Sequence, residues 1–241
     1  MSTLPFAVLV SFAVGMLIGF PALRLGGHNL ALATFALAFA TPQLLKHQSV
    51  ESLTGGVQGL VLVKPSSPVD FSLFGESLNS DRWLYFVILS IAVIVYLLLW
   101  NLLRGRIGRA LIAIGDHPVA SATMGINLVI YKTAAFGISA ALTGLAGALS
   151  AIVVANVSPD SFSVALSIIL LVGLVVGGLA SLPGALFGAL FIQFVPNVAD
   201  SLSKSAPAAI YGGILIVLML LMPGGVMGAL RKLPIGRTGS K

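Results

Sequence analysis

The chain has 241 residues, of which 58% are hydrophobic and only 8% charged, with a mean hydropathy of +1.07. That balance lies far outside the soluble globular range and predicts a polytopic membrane protein, all-α because only helices and closed barrels satisfy their backbone in lipid. There are no cysteines, which excludes disulfides and thiol chemistry, and the formal charge of +6 is read below as a sign of membrane orientation, with no nucleic-acid partner.

A span needs about 20 mostly apolar residues, and seven stretches qualify: 4–20, 29–45, 83–103, 128–155, 164–180, 184–199 and 207–223. The first lacks a basic leader and a small-residue cleavage site, so a retained span is expected. After the second comes the longest connection on the outer side, 46–82, whose Gly, Pro and Ser residues signal turns; it reads either as a plain solvated loop or, through its apolar middle GLVLV, as a cap on the membrane face. Residues 104–127, RGRIGRALIAIGDHPVASATMGIN, form the longest inner connection. Ile107, Leu111 and Ile114 follow helical spacing there, while Arg106, Arg109 and Ala113 fall on another face. Asp116 or His117 is positioned to cap a second turn opened by Pro118, and Gly125 to stop it after Met124. The segment therefore reads as two short helices along the membrane surface, a pattern that also suits an interfacial helix held to anionic lipid.

In the later spans small residues recur four apart: Ala140, Gly144 and Ala148; Gly173 and Gly177; Gly184 and Gly188. In lipid such spacing lets backbones approach closely, so tight helix packing is expected. GGLASLPGALFGA (177–189) should break the helix, as a tight turn or as a re-entrant kink.

Orientation follows from charge. With the C-terminus inside, the inner side holds Arg24, Arg104, Arg106, Arg109, Lys132, Arg231, Lys232, Arg237 and Lys241 against Asp116 alone. The outer side holds Lys46, Lys64, Arg82 and Lys204 against Glu51, Asp70, Glu76, Asp81, Asp160 and Asp200. The opposite orientation inverts the positive-inside rule.

No Asp, Glu, Arg or Lys lies near the middle of a span, which argues against proton- or sodium-coupled carriers, since a moving charge needs a titrating or coordinating partner at depth. The polar residues at depth, Thr34, Ser139, Thr143, Ser150, Ser167, Gln193 and Asn197, describe an uncharged path suited to a small substrate with an apolar side chain. A phosphate-binding G-x-x-x-x-G-K-[ST] loop is absent, the closing GRTGSK lacking that spacing. His28, His47 and His117 are scattered, so neither a metal site nor a catalytic cluster is expected.

The order GRALIAIGDHPVASATMGINLVIYKTAAFGISAALTGLAGAL, SPDSFS, GGLASLPGALFGA and YGGILIVLMLLMPGGVMG, preceded by PALRLGGHNLALATFALAF and SLTGGVQGL, resembles the permeases of bacterial branched-chain amino-acid ABC importers. More narrowly it looks like the M-type partner of the two permeases in that system. The resemblance implies a non-enzymatic subunit of a single transmembrane domain, 1–241, in the bacterial cell membrane. Its partners would be a second permease, two ATPases that bind the ATP and Mg, an external binding protein and membrane lipid. It implies an ATPase-coupling segment at about 104–127, carried by Arg106, Gly108, Arg109, Ala110, Ile114, Asp116, Ala120, Met124 and Gly125. It also implies a path or packing set of Thr34, Thr54, Gly55, Gly56, Thr143, Gly144, Gly177, Gly178, Gly184 and Gly188. Family members usually run longer at the N-terminus, which leaves a short member, a truncated product or a misassigned start as readings of the beginning. The chain also reads IGDHPVAS where acidic residues are commoner. An ATP-independent carrier or channel component is the rival reading, alongside an ABC permease for urea, short amides or other amino acids.

Overall fold

A computed structural model of the chain describes residues 3–22, 27–63, 65, 72–73, 76–77, 80–179, 181–202, 207–221 and 224–232. Arg24, Lys64, Asp70, Lys204, Arg237 and Lys241, used above for orientation, lie outside the described residues, as does the closing GRTGSK. The chain divides into two compact units, Met1–Ser161 and Phe162–Lys241.

Among the described residues each of the seven apolar stretches is mostly helical. The first unit contains α1 (Thr3–Ala22), α2 (Gly27–Leu45), α3 (Gln48–Thr54), α4 (Ser80–Arg104), α5 (Arg106–Asp116), α6 (Pro118–Thr123) and α7 (Leu128–Val154). The second contains α8 (Val164–Gly177), α9 (Leu182–Leu202), α10 (Pro207–Leu221) and α11 (Gly225–Lys232). Among the described residues four helical stretches are long and apolar enough to cross a membrane, Thr3–Pro21, Asp81–Arg104, Leu128–Val154 and Pro159–Gly177, while Leu32–Leu45 and Leu182–Val198 are shorter apolar helices. The departure from an all-α fold is small: four strands of two residues each among the described residues, β1 (Leu60–Val61), β2 (Ser72–Leu73), β3 (Glu76–Ser77) and β4 (Asn156–Val157).

The core of the first unit is the contact of α1 with α7. A Cβ added at Gly15 would fall on the Ala140 side chain, at Gly19 on the Phe136 ring at 2.8 Å, at Gly137 on Met16 at 2.8 Å and Phe12 at 3.0 Å, and at Gly144 on Ser11. Positions rise along α1 as they fall along α7, so the two helices run antiparallel. On α1 the contact stripe is Ala7, Ser11, Gly15 and Gly19, a strict four-residue repeat that matches the small-residue run of α7. Thr133, one turn before Gly137 on the same face, is buried, and its Oγ1 has no hydrogen-bond partner.

The second unit closes by backbone contact. Gly173 and Gly177 on α8 face Gly188 and Gly184 on α9, so that a Cβ at Gly177 would meet the Gly184 carbonyl and the Gly188 nitrogen. GGLASLPGALFGA thus holds a helix break, α8 ending at Gly177 and α9 starting at Leu182. Gly178 turns the chain at φ +112°, a value open to glycine, and Ser181 Oγ donates to Gly178 O at 3.1 Å. Pro183 follows in the first turn of α9, where its missing N–H costs no helical bond. The N-terminus of α11 seats on this turn, with Gly225 (φ +70°) against Gly178.

Candidate functional site

The corner between α4 and α7 is built from local signals. α4 ends at Arg104, and the chain turns through Gly105 into α5. Gly108 permits the reversal: a Cβ there would coincide with the backbone of Leu103. α5 is strongly amphipathic, and it packs on α4, α6 and α7 with Gly108 and Ile114 buried. It ends with His117 N donating back to Ala113 O at 3.0 Å, and α6 starts on Pro118 as its first residue. Neither Asp116 nor His117 supplies the side-chain cap expected from the sequence. Asp116 is the last residue of α5, and His117 heads α6 at φ −144°, ψ 87° without a side-chain bond; only its carbonyl serves, accepting from Ser121 N and Ser121 Oγ, both at 3.0 Å. α6 closes as a Schellman motif, with Gly125 at φ +83°, Gly125 N donating to Ala122 O at 3.0 Å and Ile126 N to Ser121 O at 3.1 Å. Asn127 then caps α7 by accepting from Ile130 N at 3.3 Å.

The nine residues expected at this corner separate by burial. Gly108 and Ile114 are turned inward and Ala110 is half-buried, so these three set the angle of α5. Arg106, Arg109, Asp116, Ala120, Met124 and Gly125 are exposed. Ile112 and Val119, which the sequence did not single out, are exposed as well. The 100° helical step places Ile112 beside Arg109 and Asp116. The outward surface is therefore an apolar patch edged by charges of both signs, the composition of a protein-docking face.

Of the path or packing set, Thr34, Thr54, Gly55, Gly56, Thr143 and Gly144 belong to the first unit and Gly177, Gly178, Gly184 and Gly188 to the second. Thr54, Gly55 and Gly56 end α3 and form a tight loop: Thr54 Oγ1 donates to Leu45 O at 2.8 Å and Gly55 N to Glu51 O at 2.8 Å, with Gly55 and Gly56 at φ +71° and +56°. Gly144 lies in the α1 contact, and Gly177, Gly178, Gly184 and Gly188 are buried in the α8–α9 turn region. Thr143 is exposed, its hydroxyl bonded back to Ser139 O at 2.9 Å, and Thr34 sits half-buried on α2. Among the described residues no cluster of three His, Asp or Glu could hold a metal ion.

Beyond the far end of α7 the structure shows an assembly that no local pattern announced. Ala155 turns the chain at φ +60°, and β4 then pairs antiparallel with β1, Leu60 opposite Val157 and Val61 opposite Asn156. Gly59 approaches the Val157 carbonyl so closely that no side chain fits. Lys46 Nζ meets Asp160 Oδ1 at 2.6 Å, 114 residues away. With Asp160 63% exposed, such a pair contributes about 0.2–1 kcal/mol. Leu62 N donates to Ala155 O, which makes Val61 and Asn156 the adjacent non-hydrogen-bonded pair, about 4.5 Å apart at Cα. In this cysteine-free chain, Val61→Cys with Asn156→Cys should therefore oxidise to an intramolecular disulfide that a non-reducing gel detects after protease cleavage between them. Persistent free thiols under mild oxidant would show that β1 and β4 are not paired.

With this geometry in hand, similarity to known proteins decides the family. The family described as branched-chain amino acid transport system / permease component matches residues 1–223. The chain belongs to that family. It is 32% identical to the high-affinity branched-chain amino acid transport system permease protein LivM of Salmonella typhimurium, over 93% of this chain and 56% of the relative. Identity to LivM of Escherichia coli is 31% over the same shares, and to BraD of Pseudomonas aeruginosa 28% over 65% of this chain and 52% of BraD. This permease chain thus spans little more than half the length of the LivM proteins it matches. No solved structure matches it. Family membership and the apolar helices make it an integral membrane protein.

Proposed function

We propose that this chain is a permease subunit of an ATP-binding-cassette importer of branched-chain amino acids, forming part of the translocation path and carrying no catalytic residue of its own. The observation that carries the reading is the corner of α5 and α6: two short surface helices, wedged by Gly108 and closed by Gly125, that turn Arg106, Arg109, Ile112, Asp116 and Met124 outward at the ends of two span-length helices. An interior without charge and an exposed mixed patch at one end suit a subunit driven from outside the membrane by a protein that hydrolyses ATP.

The finer reading has seven spans in one domain, 1–241, with the C-terminus and residues 104–127 on the cytoplasmic side and residues 46–82 outside, in the bacterial cell membrane. The antiparallel run of α1 and α7 supports it, since the first and fourth of seven spans must point in opposite directions. In this arrangement a second permease completes the path, two ATPases holding ATP and Mg dock at the corner, and an external binding protein delivers leucine, isoleucine or valine.

Arg106→Glu with Arg109→Glu tests the docking role. The doubly reversed chain should insert normally and lose its ATPases in a pull-down from mild detergent, by about ten-fold or more if each charge contributes about 1 kcal/mol at the interface. Unchanged association would remove the corner from the ATPase contact, and uptake that survives ATP depletion would point to an ATP-independent carrier.

A further inference from the structure

α4 exposes one long apolar side. Leu84 near its start is buried, but most of the span is exposed or half-buried, and among the described residues α5 is the element that packs on it most. The helical step gathers Phe86, Leu89, Val93, Leu97, Trp100 and Arg104 within one side of the cylinder. Four of these, Phe86, Leu89, Val93 and Leu97, are between 44% and 60% exposed. At the top of this stripe the Arg104 guanidinium stands 4.6 Å over the Trp100 ring, and Trp100 in turn lies against Tyr96 with ring centroids 6.1 Å apart. Arg104 and Arg106 flank the chain reversal at Gly105 and are both exposed.

We propose that this side of α4 is a binding site for an anionic phospholipid, the phosphate held by Arg104 and Arg106 and one acyl chain lying along the stripe from Leu97 to Phe86. The match is to an amphiphile. The run from Phe86 to Leu97 rises about 17 Å, close to the one-leaflet half of a hydrocarbon core about 30 Å thick, so the stripe and the charges above it reproduce the apolar tail and the anionic head in their proper order. Stacking on Trp100 holds the Arg104 guanidinium at headgroup depth, with its N–H fork free for phosphate oxygens. A protein partner would need its own acidic group at that depth beside a wholly apolar face, whereas a lipid supplies both in one molecule. The site shares Arg106 with the proposed docking corner but uses none of Arg109, Ile112 and Asp116, and it does not depend on the transport reading.

The chain contains two tryptophans, Trp83 and Trp100, so in the Trp83→Phe variant the fluorescence reports on the site alone. Reconstituted into phosphatidylcholine vesicles carrying a minor share of brominated lipid, Trp100 should be quenched more by brominated phosphatidylglycerol than by brominated phosphatidylcholine. The relative preference expected is about five-fold for each arginine engaged. Arg104→Gln with Arg106→Gln should abolish the preference, and Arg104→Lys with Arg106→Lys should keep most of it, which assigns the loss to charge rather than to misfolding. Equal quenching by the two lipids overturns the proposal, as does a preference that survives the glutamine variants. Absence of quenching by either lipid would show that a protein covers the stripe, and would overturn it too.

Discussion

Gly177→Val is expected to prevent the second unit from folding, with Gly177→Ala already strongly destabilising. At this position a Cβ meets main chain on the facing helix, the Gly184 carbonyl and, at 3.0 Å, the Gly188 nitrogen. A side chain in the way can change rotamer, but a backbone cannot, so α8 and α9 would have to separate along their length. Overpacking costs about 1–3 kcal/mol where neighbours can yield, and here the upper end or more is expected. The contact is mutual: a Cβ at Gly184 would meet the Gly177 carbonyl at 2.7 Å, and one at Gly188 the Gly173 backbone. Gly213→Ala makes the control, because nothing lies within 4 Å of its missing Cβ. Denaturation of the purified chain in mild detergent should show a lowered midpoint for Gly177→Ala, little recoverable protein for Gly177→Val and a wild-type curve for Gly213→Ala. A wild-type midpoint for Gly177→Ala would mean that the helices do not meet at these glycines.

How much of this was legible beforehand depends on distance along the chain. The spans were readable because an apolar run is a local property, and α6 was bounded by Pro118 and Gly125, whose φ preferences act on their own residue. The cap of α6 failed for a physical reason. Asp116 continues α5 instead of leaving it, and the N-cap place falls to His117, whose φ −144° and ψ 87° leave its ring without a bond to the new helix. On α7 the small-residue run Ala140, Gly144 and Ala148 stood out, yet its complement on α1, Ala7, Ser11, Gly15 and Gly19, did not. Small residues four apart are common in glycine-rich spans, and only the fit of two surfaces selects which pair will meet. The pairing of β1 with β4 and the Lys46–Asp160 contact join segments roughly 100 residues apart through two-residue strands and one exposed ion pair. Interactions that small leave no periodicity in a sequence. In the candidate site the separation of Arg106 and Arg109 from Ile114 was visible in the helical spacing, but not the exposure of Ile107, the half-burial of Ala113 or the burial of Gly108, which depend on how α5 leans on α4 and α7.

That lean is the basis of the second large effect. Gly108→Val should leave the chain inserted and folded while removing its association with the proposed ATPases. The valine Cβ would occupy the position of the Leu103 backbone, so α5 must swing away from the end of α4. Arg109, Ile112 and Asp116 then lose their common placement even though none of them is altered. If the misplacement costs about 1–3 kcal/mol of docking energy, association falls about 5-fold to 150-fold. Gly115→Ala, in the same helix with nothing within 4 Å of the added methyl, should bind as the unmodified chain does. Salt separates this effect from charge reversal. Reversing Arg106 and Arg109 acts through interactions that a Debye length of about 8 Å already weakens at physiological ionic strength, so its deficit should shrink as salt is raised. The Gly108→Val deficit is one of geometry and should stay constant across the same salt series. A pull-down of the two variants over that series therefore tells a positioning residue from contacting ones, and a Gly108→Val chain that binds normally would show that α5 is not held at its observed angle by this corner.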